Sequence, residues 1–260
     1  MTEPARVSWT VLLPVKVLAR AKSRLAVLAG PRRWELALAM ASDTVAAVVG
    51  CPEVARVVVV TSDPVAGEQL AALGAVVVPD VHAGPAGLDG LRRHRVEQHQ
   101  VEQQQVGDGS QDALNAALLH GAAVASRRWP GTGLAALTAD LPALRPAELA
   151  AALRAVAEVA GTGQAARQAG NGTAFVPDAA GVGTTLYAAV SSGDFRPAFG
   201  GASRARHAMA GAAELAFDGV LNGVPGLRRD VDTADDLRAA VALGAGFRTT
   251  ALAAELFADA

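Results

Sequence analysis

The sequence predicts an α/β fold, a mixed but mostly parallel sheet flanked by helices, on two observations. Short apolar runs alternate with segments of helical periodicity along most of the chain, the order that a parallel sheet with crossover helices requires. One of those runs, Val57-Val58-Val59-Val60, is apolar without alternation, which suits a strand buried on both faces rather than one with a wet face.

Taken in order, Val11 to Leu13 forms a first strand closed by Pro14, and a polar loop follows. Trp34, Leu38, Ala41, Val45 and Val48 then recur at the spacing of a covering helix. Beyond the valine strand come a helix over Val65 to Leu73 and a strand over Ala75 to Val78. A helix around Leu114 to Ala125, a strand over Leu134 to Leu137 and a helix from Pro146 continue the alternation, proline being pre-shaped for a first helical turn. A strand over Thr173 to Val176 precedes a turn marked by Gly181 and Gly183, which leads into Thr184 to Val190.

The alternation stops between Asp80 and Asp112, where Gly84-Pro85, a basic cluster from Arg92 to Arg95 and a glutamine-rich stretch from Gln98 to Gln105 replace apolar periodicity. The expected organisation is a single domain over 1–260 with a flexible insertion at 82–110. A second polar gap runs from Gly161 to Gly172.

The chain has 260 residues, 51% of them hydrophobic, enough for one sizeable core. A formal charge of -2 leaves no broad basic face for a nucleic-acid backbone or an anionic membrane, so small molecules are the expected partners. Cys51, the one cysteine, can make neither an intramolecular disulfide nor a cysteine cluster for zinc, and reads as a small buried apolar residue in a reducing cytoplasmic protein. The first apolar stretch, Val7 to Val15, is interrupted by Pro14 and falls short of the roughly 20 residues that span a bilayer. Neither a signal peptide nor an anchor is expected.

Candidate chemistry gathers after the strands. Lys16, Lys22 and Arg24 lie in the loop after the first strand, where an open α/β sheet presents ligands. Their cations suit a triphosphate, although a solvated loop would use the same residues. Asp140 follows the strand Leu134 to Leu137, and its carboxylate could bind magnesium or cap a turn. Asp230 and Asp232, two apart in a strand, would project from one face and complete a metal cluster with it. Thr233 caps a following helix whose first turn carries Asp235 and Asp236.

The segment from Phe195 to Ser203 brings glycines and a hydroxyl up to Arg204, Arg206 and His207, a pattern fit for a phosphate or carboxylate. It is equally fit for a turn capped by Ser203. His82, His94, His99 and His120 have no metal-ligand spacing and read as surface residues.

Seven motifs occur together: Pro14-Val15-Lys16, Ala21 to Leu25, Leu114 to Ala117, Ala139-Asp140-Leu141-Pro142-Ala143-Leu144, Phe199-Gly200 to Ser203, Ala205-Arg206-His207 and Asp230-Val231-Asp232-Thr233. From about Val11 to Leu243 the chain resembles the phosphoenolpyruvate or 2-phospholactate guanylyltransferases of coenzyme F420 biosynthesis, apart from the inserts near 82–110 and 161–172.

The resemblance implies a nucleotidyltransferase fold of GT-A-like, Rossmann-like type, and transfer of GMP from GTP to phosphoenolpyruvate with magnesium as cofactor. Alternatives are transfer to 2-phospholactate or 3-phosphoglycerate, a related sugar-phosphate or molybdopterin nucleotidyltransferase, and a non-catalytic GTP-binding protein. By the same resemblance Asp140, Asp230 and Asp232 are magnesium ligands, and Lys16, Lys22 and Arg24 bind the GTP phosphates and act in catalysis. Asn115 contacts the nucleoside, while Thr184, Gly200 and Ser203 contact phosphoenolpyruvate, Thr184 being chosen over the adjoining Thr185. A downstream F420-pathway transferase is an implied partner.

Overall fold

The computed structural model describes residues 7–20, 22–80, 106–161, 172–215 and 223–259. Its strands are β1 (Trp9–Pro14), β2 (Val54–Val60), β3 (Val76–Val78), β4 (Gly133–Leu137), β5 (Thr173–Pro177), β6 (Thr184–Ala189) and β7 (Ala213–Glu214). They form one seven-stranded sheet in the order β3-β2-β1-β4-β6-β5-β7. Pairing is parallel from β3 through β2 and β1 to β4 and between β5 and β7, and antiparallel where β6 meets β4 and β5. The mixed, mostly parallel sheet expected from the alternation is therefore present.

The helices are α1 (Ala26–Ala29), α2 (Arg33–Val49), α3 (Pro64–Ala72), α4 (Val106–Arg128), α5 (Pro146–Gly161), α6 (Ser203–Met209), α7 (Pro225–Arg228), α8 (Ala234–Ala242) and α9 (Phe247–Ala258). Alternate residues of β1 divide between two cores, as the pleat dictates. Val11 and Leu13 pack with α2 and α5 on one face, and Leu12 packs with Leu118 and Ala122 of α4 on the other. At Gly121 a Cβ would stand 2.6 Å from Val60 Cγ2, so the missing side chain is what lets α4 lie this close to the sheet. A third cluster joins α1, α2, α8 and α9 through Leu36, Met40, Leu237 and Leu256.

Four expectations change. Trp34 shares the helical spacing of Leu38, Ala41, Val45 and Val48 but is 44% exposed in the first turn of α2. Residues 106–110, placed in the insertion, belong to α4, so polar composition hid a helix start. Ser203 does not cap α6: it is the first helical residue, and Ala202 occupies the cap without a side-chain bond. The Asp230 to Asp232 segment lies outside the sheet, with one backbone bond from Val231 N–H to Asp140 O. The rest of the insertion, 82–105, and residues 162–171 of the second gap lie outside the described residues, as do His82, His94 and His99. No described helix is long and apolar enough to cross a membrane.

Candidate active site

Strand order fixes where a ligand can sit. From β1 the chain moves outward to β2 and β3, whereas β4 pairs on the opposite side of β1. The carboxyl ends of β1 and β4 therefore flank a topological switch point, where open α/β sheets leave a crevice. A cleft of about 400 Å³ lies there, with Lys16, Lys22, Arg24, Thr138, Asp140 and Asp232 in its wall.

Each wall segment is held by a tertiary contact. Asp63 caps α3 by accepting from Val65 N and Ala66 N, and its other oxygen accepts from Leu18 N at 2.9 Å. That bond anchors the loop carrying Lys16 and Lys22. Thr44 of α2 donates to Met40 O and accepts from Leu141 N at 3.1 Å, which fixes the turn that presents Asp140. The capping box of Thr233 and Asp236 starts α8 directly after Asp232. Val231, fully buried, leaves Asp230 and Asp232 on its flanks.

Lys22 adopts a left-handed backbone, with φ of 54°, the one non-glycine among the described residues to do so. Such a conformation costs of order 1–3 kcal/mol and persists where surrounding contacts over-determine it. The contacts are two carboxylates: the Lys22 ammonium donates to Asp140 Oδ2 and, at 2.8 Å, to Asp232 Oδ1. Burial alone would lower the Lys22 pKa, but the two carboxylates raise it above the ordinary lysine value. Burial likewise pushes Asp232 up, and Lys22 more than offsets it, leaving Asp232 below the usual carboxylate range. Arg24 Nη1 stands 3.9 Å from Asp232 Oδ2 at a largely exposed position.

Asp230 is the electrostatic outlier. Burial, then the charges of Asp140, Asp178 and Asp232, push its pKa up to about 7. Among the described residues no three acidic, His or Cys side chains stand ready-made around a metal position. The donor chemistry nevertheless fits a hard divalent cation: Asp140 Oδ1 is buried without a hydrogen-bond partner, and a dication would relieve the repulsion on Asp230.

Asn115, Thr184, Gly200 and Ser203 do not line this cleft; they are linked to it through Phe199, which does. Asn115 of α4 spends its amide on protein, accepting from Phe199 N at 2.8 Å and donating to Phe199 O and Gln111 O. It thereby holds Phe199 against the cleft. Gly200 has φ of +99°, and a Cβ there would lie 2.5 Å from the Gln111 side chain. Thr184 and Ser203 are buried. The Thr184 hydroxyl pairs with His207 Nδ1 at 3.0 Å, whereas Thr185 Oγ1 and Thr138 Oγ1 are buried with no partner. Those two threonines adjoin, since Thr138 N donates to Thr185 O.

Over 252 residues the chain is 50% identical to the phosphoenolpyruvate guanylyltransferase of Thermomonospora curvata, with 97% of this chain and 91% of that one covered. It is 49% identical over 249 residues to the enzyme of that name from Streptomyces avermitilis, covering 95% of each. The chain belongs to the phosphoenolpyruvate guanylyltransferase family. The fold agrees with a solved nucleotidyl transferase from Methanothermobacter thermautotroptrophicus, with a TM-score of 0.51 at 18% identity over 92% of this chain and 98% of that one. No family model matches the chain.

Within this guanylyltransferase family member, sequence reasoning missed Thr44, Asp63, Thr138 and the role of His207. The first two do ordinary capping and turn work whose partners lie 97 and 45 residues away, so no local pattern marks them.

Proposed function

We propose that the protein transfers GMP from GTP to phosphoenolpyruvate, releasing pyrophosphate and forming enolpyruvoyl-2-diphospho-5'-guanosine, a precursor of coenzyme F420. The observation that carries this reading is the convergence of Lys16, Lys22 and Arg24 with Asp140 and Asp232 in one cleft at the switch point of the sheet. Membership of the guanylyltransferase family supports the choice of nucleotide and acceptor.

An oxygen of the phosphoenolpyruvate phosphate attacks the α-phosphorus of GTP, and the bond from that phosphorus to the bridging oxygen breaks as pyrophosphate leaves. The attacking phosphate is already ionised near neutrality, so no general base and no covalent enzyme intermediate are needed. The protein's task is positioning and charge neutralisation. Lys16, Lys22 and Arg24 bind the triphosphate and stabilise the departing pyrophosphate, and Asn115, through Phe199, shapes the nucleoside side of the cleft.

Asp140, Asp230 and Asp232 would hold a divalent cation, magnesium in this reading, whose charge offsets that of the reacting phosphates. Asp140 and Asp232, which both accept from Lys22, would be shared between the cation and that ammonium, and Lys22 would then be available to a phosphate. Gly200, Ser203 and the Thr184-Thr185 pair receive the phosphoacid in this reading, and Thr185, whose buried hydroxyl has no partner, is better suited to donate to it than Thr184, which pairs with His207.

The test is mass-spectrometric detection of product from purified protein, magnesium, GTP and each acceptor in turn, with a downstream F420-pathway transferase present to trap it. A guanylylated product from phosphoenolpyruvate supports the reading. Product only from 2-phospholactate, 3-phosphoglycerate or a sugar phosphate would replace the acceptor, and GTP binding without turnover would replace the enzyme by a binding protein.

A further inference from the structure

His207 is fully buried and carries two hydrogen bonds that the reaction outlined above does not use. Its Nε2 is 2.9 Å from Ala198 N, whose N–H can only donate, so Nε2 is an acceptor. Burial, then Arg206, lowers the imidazole pKa to about 4 and keeps the ring neutral. The one ring proton therefore sits on Nδ1 and is donated to Thr184 Oγ1 at 3.0 Å.

The ring has little freedom. It stacks on Tyr187 with centroids 4.6 Å apart and planes 16° apart, and meets Phe199 edge-on at 5.4 Å. A single imidazole thus joins the start of β6 to the loop that continues from Ala198 into Gly200 and Ser203. It does so where the pairing of β5 and β6 is irregular: Val176 pairs with Leu186, but Pro177 pairs with Thr184, so Thr185 is the extra residue. A bulge of this kind re-aims a side chain and leaves the extra residue unpaired in the ladder, so a contact outside the ladder can set its placement. The bond from His207 to Thr184 is that contact, and it fixes the neighbouring Thr185, whose hydroxyl is buried without a partner.

We propose that His207 is a positioning residue for the phosphoacid side of the cleft, holding Thr184-Thr185 and the Ala198-to-Ser203 loop in one relative placement. The inference rests on the reading that this wall receives phosphoenolpyruvate. A residue serving stability alone would be replaceable by an aromatic ring of similar size, with no preference between the two substrates.

The experiment compares wild type with His207→Phe, which keeps the ring and loses both hydrogen bonds, and His207→Gln, which keeps an acceptor for the Ala198 N–H. KM for phosphoenolpyruvate, KM for GTP and kcat are measured, and GTP affinity is checked by calorimetry. In His207→Phe the KM for phosphoenolpyruvate is expected to rise about 10-fold or more while that for GTP changes by less than about 2-fold. His207→Gln is expected to fall between it and wild type, and it decides the matter if His207→Phe does not fold. Equal changes in both KM values, or a loss of kcat with both unchanged, would overturn the proposal. Wild-type protein that makes no product from phosphoenolpyruvate would sink the functional reading and this inference together. Normal wild-type turnover with unaltered variant KM values would sink this inference alone.

Discussion

Lys22 Nζ lies 2.8 Å from Asp232 Oδ1 and also donates to Asp140, so one ammonium ties together carboxylates that are 92 positions apart in the chain. The two acids come from the turn after β4 and from the segment before α8. Without a positive charge between them they would repel each other in a partly buried cleft.

That arrangement makes Lys22 a structural tie, and in the proposed reaction it is also a cation that binds phosphate. Lys22→Met is expected to lower kcat/KM by about 100-fold or more, the scale for losing a preorganised charge at a reacting phosphate. It should also destabilise the metal-free protein by about 3 kcal/mol, because a carboxylate pair is left without its partner. Magnesium should restore part of that stability but not the rate. Steady-state kinetics beside thermal denaturation, with and without the metal, check both outcomes.

Asp230 gives a pH signature. Its folded pKa is raised to about 7 from the ordinary aspartate value, so the folded state holds a proton that the unfolded state releases. Its contribution is present below about pH 4 and is lost as pH rises through about 7. Asp230→Asn removes the repulsion: in chelator its melting temperature should exceed that of wild type at pH 8 by roughly 5 °C, and should match it near pH 4. A difference that does not change with pH would contradict the assignment.

His207 acts in the opposite sense. Its folded pKa is lowered to about 4 from the ordinary histidine value near 6.5, so stability is fully present above about pH 6.5 and is lost as pH falls toward 4. The two slopes oppose each other between pH 4 and 7, and wild-type melting curves alone hide both. Replacement by Phe should flatten the acid loss, and the difference in melting temperature between His207→Phe and wild type should shift in favour of the variant from pH 7 to pH 4.5.

Thr44 holds the turn that presents Asp140 by accepting from Leu141 N. Thr44→Val keeps the volume and strands Leu141 N–H, at an expected cost of about 1–2 kcal/mol in stability. If Asp140 acts as proposed, loosening the turn should lower kcat by about 10-fold with little change in either KM. A kinetic profile identical to wild type would mean that Asp140 is held by other contacts.

Much of the fold was legible because its signals are local. The valine run of β2, Pro146 at the start of α5 and the Thr233 cap of α8 each sit where the sequence puts them. The positions of Lys16, Lys22 and Asp140 beyond the ends of strands followed from the same alternation. What stayed hidden depends on partners distant in sequence. The Asp230 to Asp232 segment looks like a strand but finds only one backbone partner, at Asp140. The pairing of Thr184 with His207, and hence the difference between two adjacent threonines, follows from the irregular register of β5 and β6, which composition does not encode.

The most direct measurement follows the α-phosphorus itself: GTP labelled at that atom is incubated with phosphoenolpyruvate and magnesium, using wild type and Asp140→Ala. The expected result is label in a guanylylated phosphoenolpyruvate with wild type, stoichiometric with pyrophosphate, and at least about 100-fold less with Asp140→Ala. Label that stays in GTP with wild type, or transfer that survives the loss of Asp140, would contradict the account.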